Sequence, residues 1–233
     1  MKKMIYIVLL FWCGIAIAAE GVQTQKNRLF ILSGQSNMVR LDPELSFTPT
    51  LKKAFPGENI VVVKVAKIGQ PIRRWSKKSI PEVTSSAKNV RLATGDLYDV
   101  MVRQINAGAI KNTATSVTFI WMQGERDAKD GLGDSYATEL RGVIDQLKHD
   151  IGRDDLYFVL GRLSDFGIKM PTLRGEWEKV RNAQVQIAEA DSHGAWVDTD
   201  DLNGDKDELH YTREGFLIFG ERLAQAAIKQ LAK

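Results

Sequence analysis

Five short apolar runs alternate with longer stretches of helical periodicity along this chain, and the alternation limits the folds open to it. The runs cover residues 28–33, 60–66, 116–122, 156–161 and 195–198. They are almost continuously apolar, as expected for strands buried on both faces of a parallel sheet. The stretches between and after them predict helices at about 96–107, 134–152, 176–190 and 214–231. This pattern favours an α/β fold with one open parallel sheet covered by helices on both faces, in three layers.

The first 19 residues differ from the rest of the chain. Two lysines precede an apolar run at 4–18, and the segment ends in small alanines. A basic start, an apolar centre and a small-residue exit are typical of a bacterial-type secretory signal, and the run is shorter than the ~20 residues of a membrane-spanning helix. We therefore expect residues 1–19 to be removed. The remaining residues, 20–233, would form one domain of a protein exported to the periplasm or the medium.

The composition excludes several classes of function. Removing the lysines at positions 2 and 3 from the 32 basic residues leaves 30 against 29 acidic residues, so the charge does not call for nucleic acid. The single cysteine, Cys13, lies in the signal segment, so the mature chain would have neither a disulfide nor a thiolate nucleophile. With only three histidines, a histidine-rich metal site is not expected, and we predict no metal.

The residues that follow each predicted strand are polar or glycine. They are GQSN (34–37), IGQP (68–71), QGE (123–125), RLSD (162–165) and a loop that ends in DELH (207–210). In open α/β sheets, ligands bind beyond the carboxyl ends of the strands, so these segments are expected to meet at one rim. Their convergence is stronger evidence for a site than any one of them alone.

Ser36 is the candidate nucleophile. A serine hydroxyl needs a neighbouring base to take its proton, and the base needs a partner that fixes its tautomer. Asp207 and His210 provide both, because their spacing lets the carboxylate hold one ring nitrogen while the other faces Ser36. A turn with a helix cap would explain Gly34 and Ser36 taken alone, and a surface aspartate beside a satisfied histidine would explain the second pair.

Further residues of the rim are candidates for supporting roles. Gly69 and Gln123 are the expected oxyanion donors beside the Ser36 backbone amide, since glycine permits close approach of the backbone and a side-chain amide can donate to developing negative charge. Glu125 and Asn37 are predicted to support the site. The roles of Glu125 and Asp127 stay open, since either could hold the loop in shape or help to orient His210.

Two groups of residues are candidates for substrate binding. Arg73, Arg74 and Trp75 suggest sugar recognition, with the indole stacked on a sugar ring and an arginine bound to a hydroxyl or an acidic group. A solvated charged loop is the alternative reading. Arg162, after the fourth strand, is either a further substrate contact or a salt-bridge residue at the end of the sheet.

Three blocks of sequence carry a resemblance to a known family. They are SGQSNM (33–38), WMQGERD (121–127) and DELHY (207–211), the last followed by a glycine at 215. With them, the chain resembles the SGNH hydrolases, and among these the sialate O-acetylesterase-like and carbohydrate esterase family 6 group. The resemblance implies a flavodoxin-like α/β/α fold with a five-stranded parallel sheet, and release of acetate from acetylated sugars without a cofactor. It also implies a Ser36–His210 pair oriented by Asp207, with oxyanion contacts from Ser36, Gly69 and Gln123.

Two positions depart from the family pattern. Ile68 stands where a second glycine is usual, and Val39-Arg40 stands where Ala-Gly is usual. Bulk at Ile68 and Arg40 would narrow the acyl pocket or reshape the sugar site.

The sequence as a whole predicts an exported serine esterase that removes O-acetyl groups from acetylated sialic acid, xylan or another polysaccharide, with no membrane contact after signal cleavage. The alternatives are a weakly active or inactive carbohydrate-binding protein on the same scaffold, and an esterase for lipids or thioesters. The sequence does not predict an oligomeric state.

Overall fold

The computed structural model describes residues 25–78, 94–107, 112–206 and 208–233. The predicted signal segment lies outside the described residues. The described elements, in chain order, are β1 (Asn27–Gly34), α1 (Ser36–Arg40), α2 (Phe47–Ala54), β2 (Asn59–Ala66), α3 (Asp96–Ala107), β3 (Ala114–Met122), α4 (Glu125–Lys129), α5 (Gly133–Ile151), β4 (Tyr157–Gly161), α6 (Arg174–Glu189), β5 (Gly194–Val197) and α7 (Arg213–Leu231).

The five strands form one sheet in the order β2-β1-β3-β4-β5, and every neighbouring pair is parallel. β1 lies between β2 and β3, with Ile31 opposite Val63 on one side and Phe119 on the other. The predicted fold class is confirmed, and each predicted strand and long helix ends within two residues of the observed one. In this strand order, the direction of the connections reverses between β1 and β3, so the crevice at their carboxyl ends is the expected ligand site.

Helices cover both faces of the sheet. α2 and α7 pack against each other on one face, while α5 and α6 pack against each other on the opposite face and α3 lies against β2. The core between the layers contains the largest fully buried side chains, among them Trp75, Trp121, Trp177, Phe30 and Phe119. Among the described residues, no helix combines the length and the apolar character needed to cross a membrane.

The start of α7 is fixed in a way that matters for the site. Thr212 caps the helix, because its hydroxyl accepts a hydrogen bond from the Gly215 backbone N–H at 2.9 Å. The Thr212 N–H donates in turn to the Leu202 carbonyl at 3.0 Å. A Cβ on Gly215 would lie 2.2 Å from the same carbonyl oxygen, so only glycine allows this approach. The chain just before the helix, which carries His210, is therefore anchored on its C-terminal side.

Candidate active site

Ser36 begins α1 directly after the central strand β1, and its side chain is 3% exposed. The turn into the helix depends on Gly34, whose φ of 142° lies in the region that favours glycine. A Cβ at Gly34 would lie 1.9 Å from the Met122 carbonyl oxygen of β3. That oxygen instead accepts a hydrogen bond from the Gln35 N–H at 2.9 Å. Ser36 thus leaves the sheet at the crevice between β1 and β3.

Asn37, the next residue, joins the Ser36 helix to the segment that carries His210. Its side-chain NH₂ group donates to the Leu209 carbonyl at 3.3 Å, and its side-chain oxygen accepts from the Tyr211 N–H at 3.4 Å. These two backbone groups flank His210. The residues next to the candidate nucleophile and the candidate base are therefore in direct contact, although they lie 172 and 174 positions apart in the chain.

The ring of His210 is partly exposed. Burial, and then the positive charges of Arg40 and Lys129, hold its pKa below the ordinary value, against the opposing effect of Glu208. A histidine with a lowered pKa is neutral at pH 7 and can accept a proton.

No hydrogen bond joins the Ser36 hydroxyl to the His210 ring among the described residues. Catalytic hydrogen bonds are often long in unliganded sites and tighten when substrate binds. Asp207, the predicted orienting acid, lies outside the described residues, so its role stays a prediction.

Glu125 is the first residue of α4 and is almost completely buried. One carboxyl oxygen, Oε1, accepts from the Asn37 NH₂ group at 3.2 Å, and the other has no partner within the described part of the chain. Burial raises the pKa of Glu125 to about 7. Through this hydrogen bond, Glu125 holds the Asn37 side chain in place from the buried side.

Asp127 lies two residues further along α4 and has a different set of contacts. It is 1% exposed, and it accepts hydrogen bonds from the Ile72 N–H at 3.0 Å and from the Gln123 side-chain amide. Burial raises its pKa to about 7 as well. The sequence left the role of Asp127 open, and the only signal was its position in the block WMQGERD (121–127). The structure shows that it holds the loop after β2 against the end of β3.

Gln123, predicted as an oxyanion donor, has a different environment from the one expected. Its NH₂ group donates to Asp127, to the Gln70 carbonyl at 3.1 Å and to the Gln35 side-chain oxygen at 3.3 Å. The side-chain oxygen of Gln123, Oε1, is buried and has no hydrogen-bond partner within the described residues. This atom is an acceptor, whereas an oxyanion needs a donor. In this conformation, Gln123 joins the loops of the rim, and it would have to give up one of these contacts to bind an oxyanion.

Gly69 turns the chain after β2 with a φ of 65°, and a Cβ there would meet no atom within 4 Å. Its predicted oxyanion contact stays a prediction. Ile68, expected to narrow the acyl pocket, is 60% exposed. Arg40 is also exposed. Both departures from the family pattern therefore lie on the surface.

The predicted sugar-binding role of Trp75 is wrong. Its ring is completely buried, packs at a right angle against Trp121 with centroids 5.1 Å apart, and donates its indole N–H to Ser33 Oγ at 2.8 Å. Two apolar strands and a helix surround this position, so the aromatic ring is part of the core and offers no face to a substrate.

The two arginines before Trp75 are also occupied by other residues of the chain. Arg73 is 7% exposed and forms a buried ion pair with Glu139, with 3.1 Å between Nε and Oε1. Arg74 pairs with Asp96 at the start of α3 and donates to the Gln70 side chain. These pairs fasten the loop after β2 to α3 and α5, so the predicted sugar contacts are replaced by structural ones.

Arg162 follows β4 and lies at the sheet end, as expected. Its guanidinium donates to Asp198 at 2.6 Å and to Asp200 at 2.8 Å, and it stands 4.8 Å from the centre of the Trp196 ring. The salt-bridge reading is therefore correct. Contact with substrate stays a prediction. Among the described residues, no group of three or more histidine, cysteine, aspartate and glutamate side chains could hold a metal ion.

Comparison with known proteins identifies the family. The family model for "Carbohydrate esterase, sialic acid-specific acetylesterase" matches residues 39–229. The chain belongs to this family. The predicted resemblance is confirmed, and the family is one of carbohydrate esterases.

Individual relatives are more distant. A probable carbohydrate esterase of Arabidopsis thaliana is 27% identical over 192 residues, which cover 79% of this chain and 62% of that protein. The chain therefore spans less than two thirds of this relative's length. The crystal structure of an Arabidopsis thaliana protein has a TM-score of 0.66 at 22% identity and covers 88% of this chain and 98% of that one. The crystal structure of a carbohydrate acetylesterase from Xanthomonas citri has a TM-score of 0.61 at 17% identity and covers 87% of this chain and 55% of that one. At these identities, the two structures support the fold alone.

Proposed function

We propose that the protein is an exported carbohydrate O-acetylesterase with Ser36 as nucleophile, His210 as general base and Asp207 as the acid that orients the histidine. Its substrate would be an acetylated sugar, such as acetylated sialic acid, xylan or another polysaccharide. Family membership supports the ester chemistry and the carbohydrate class. The proposed signal segment, 1–19, supports export, and N-terminal sequencing of protein secreted from a bacterial host tests its removal.

The observation that carries the mechanism is the Asn37 bridge. Asn37 follows Ser36 in α1 and is bonded to the backbone on both sides of His210. Catalysis by a serine and a histidine requires that the two side chains share a fixed geometry. A bridge between their immediate neighbours provides this, and the capped start of α7 holds the histidine segment from the other side.

The reaction would proceed in two steps. His210 takes the Ser36 proton while the serine oxygen attacks the acetyl carbonyl carbon, and backbone amides of the rim stabilise the oxyanion. The carbon–oxygen bond to the sugar then breaks, and the histidine returns the proton to the sugar oxygen. Water attacks the acetyl-serine, the histidine takes a proton from the water, and acetate leaves as the serine is protonated again. Asp207 would keep the imidazole in the required tautomer throughout.

The Ser36→Ala variant tests the nucleophile. We expect acetate release from a small aryl acetate and from acetylated glycans to fall at least ~10³-fold, because the covalent intermediate can no longer form. Ser192→Ala is a matched control, since Ser192 is exposed and precedes β5, at the opposite end of the strands from Ser36. Thermal unfolding of both variants should match the wild type.

Three outcomes would contradict the proposal. Turnover by Ser36→Ala comparable with that of Ser192→Ala would exclude Ser36 as nucleophile. Wild-type protein that binds glycans saturably but releases no acetate from any acetyl ester would instead be a carbohydrate-binding protein on an esterase scaffold. Preference for long acyl chains over acetyl would favour a lipid esterase.

A further inference from the structure

A cleft of about 470 Å³ lies on the α6 face of the sheet, beside the edge strand β5. This volume falls in the range of about 300–1,000 Å³ typical of small-molecule sites. We call it the side cleft and define it by the lining residues that the argument uses, Arg162, Glu178, Arg181, Asn182, Gln186 and Trp196. None of the residues assigned above to the chemistry of the ester lines it.

The arginines of the side cleft are already neutralised. Arg162 is bonded to Asp198 and Asp200, and Arg181 donates to both oxygens of Asp200 at 2.6 and 2.9 Å. Two guanidinium groups thus face two carboxylates. The side cleft therefore has no surplus of positive charge for an anion, and its chemistry suits a neutral polar ligand.

Trp196 provides a flat apolar wall in a fixed position. Its indole N–H donates to the Glu189 side chain at 3.1 Å, and the Arg162 guanidinium lies over its ring. The ring is partly exposed, in contrast to the buried Trp75. A rigid, partly exposed aromatic ring presents an apolar surface at low entropic cost. The C–H face of a sugar ring is the natural partner of such a surface.

Polar side chains line the opposite wall. Glu178, Asn182 and Gln186 are spaced four residues apart on α6, so they lie in one row along the helix. All three are exposed and have no hydrogen-bond partner within the described part of the chain. A carboxylate and two amides offer both donors and acceptors. Such groups match the hydroxyls of a neutral sugar, which also donate and accept.

The side cleft lies at the same end of the sheet as Ser36. Arg162 follows the last residue of β4, and Trp196 is the last residue but one of β5. β1 and β5 are three strand positions apart in the sheet, which corresponds to roughly 14 Å at about 4.8 Å per step. A short oligosaccharide spans this distance, whereas a single sugar does not.

From these observations we infer that the side cleft is a glycosyl subsite, which binds a neutral sugar unit of an oligosaccharide or polysaccharide whose acetylated unit lies at Ser36. The inference rests on the proposed function and adds the class of substrate, a glycan chain rather than a single acetylated sugar. The subsite takes part in binding only, so it acts on long substrates and leaves the chemistry at Ser36 unchanged.

The test compares substrates of different length. Acetate release is measured with 4-nitrophenyl acetate and with chemically acetylated mono-, di- and tetrasaccharides of glucose and xylose. For the wild type, we expect kcat/KM to rise with chain length in at least one series. For Trp196→Ala we expect a roughly tenfold loss on the tetrasaccharide of that series and no change on 4-nitrophenyl acetate, because only the longer substrate reaches the ring.

The double variant Asn182→Ala/Gln186→Ala is a second test, which remains valid if Trp196→Ala does not fold. Both of its residues are exposed and without partners in the described residues, so the substitutions should not disturb the fold. It should show the same selective loss. Gln225→Ala, an exposed position of α7 on the opposite face of the sheet, is the matched control and should behave as the wild type.

The inference would be overturned if the wild-type kcat/KM did not rise with chain length in either series. It would also be overturned if both side-cleft variants kept the same rise in kcat/KM as the wild type. Failure of the proposed function is distinguishable, because it would abolish hydrolysis of 4-nitrophenyl acetate by the wild type.

Discussion

Asp127→Asn is the substitution that best separates the roles of the two buried carboxyl groups of α4. The Asp127 carboxylate accepts from the Ile72 N–H and from the Gln123 amide, so both of its neighbours are donors. Asparagine keeps one oxygen and replaces the other by an NH₂ group. Because the Ile72 N–H contacts both carboxylate oxygens, at 3.3 and 3.0 Å, the NH₂ group faces this donor in either orientation. Glu125→Gln is the matched control. Only one Glu125 oxygen accepts a hydrogen bond, from Asn37, so a glutamine can keep that contact.

The magnitude follows from the Ile72 N–H, which then faces a donor, because the Gln123 NH₂ group keeps its contacts with Gln70 and Gln35. A buried donor that loses its partner costs about 1–3 kcal/mol, so Asp127→Asn should lower the free energy of unfolding by about 2 kcal/mol. For Glu125→Gln we expect a loss below about 1 kcal/mol, since no donor is stranded. In a domain of this size, 1 kcal/mol corresponds to about 2–4 °C in Tm, which gives a decrease of about 4–8 °C for Asp127→Asn.

The assay is thermal or urea unfolding at about pH 8, above the pKa of about 7 of both groups, together with kcat and KM for 4-nitrophenyl acetate. Asp127 is a positioning residue, so its loss should reduce kcat by at least about tenfold, with little change in KM, as the loop after β2 and Gln123 lose their fixed geometry. Equal losses of stability in the two variants, or a stable Asp127→Asn with full kcat, would refute the assignment of the two roles.

Three further predictions concern the site and its support. The kcat/KM for acetyl esters should fall as the pH drops through a value below about 6.5, because protonated His210 cannot act as base and its pKa is lowered. Arg40→Ala or Lys129→Ala should move this limb to higher pH, since each removes a positive charge that opposes protonation, and an unchanged limb would show that these charges do not reach the base. Gly34→Ala should give no soluble folded protein on expression, because its Cβ would lie 1.9 Å from a carbonyl oxygen. Trp75→Ala should lower the free energy of unfolding by about 3–5 kcal/mol and leave KM for acetylated sugars unchanged, and a raised KM for these sugars at unchanged stability would restore the sugar-binding role.

The sheet and the long helices could be predicted because their signals are local. A strand of a parallel sheet is buried on both faces and therefore reads as a continuous apolar run, as 29–32 does within β1. α5 and α7 are 19 residues long, which is enough for a clear 3.6-residue period. α4 has five residues and gives no such period, so it could not be found in the same way.

The contacts of individual side chains could not be predicted, because they depend on distant parts of the chain. Asp127 bonds to Ile72, 55 positions away, and Trp75 bonds to Ser33, 42 positions away. A run of two arginines and a tryptophan is typical both of a sugar site and of a loop fastened to the core. The two cases are distinguished only by the positions of Glu139 and of α3, which supply the partners of Arg73 and Arg74. Trp196 was missed for the same reason, since nothing near it in the sequence marks a cleft.

The two departures from the family pattern acquire a different meaning once their exposure is known. Ile68 and Arg40 are both exposed, which does not fit a role in narrowing a buried acyl pocket. In the proposed function, such exposed side chains at the rim would contact the sugar rather than the acetyl group. Arg40, with Lys129, adds positive charge close to His210, whereas the side cleft has no surplus of positive charge. A glycan with its acidic groups near the acetylated unit and neutral sugars further along would match both ends of this surface.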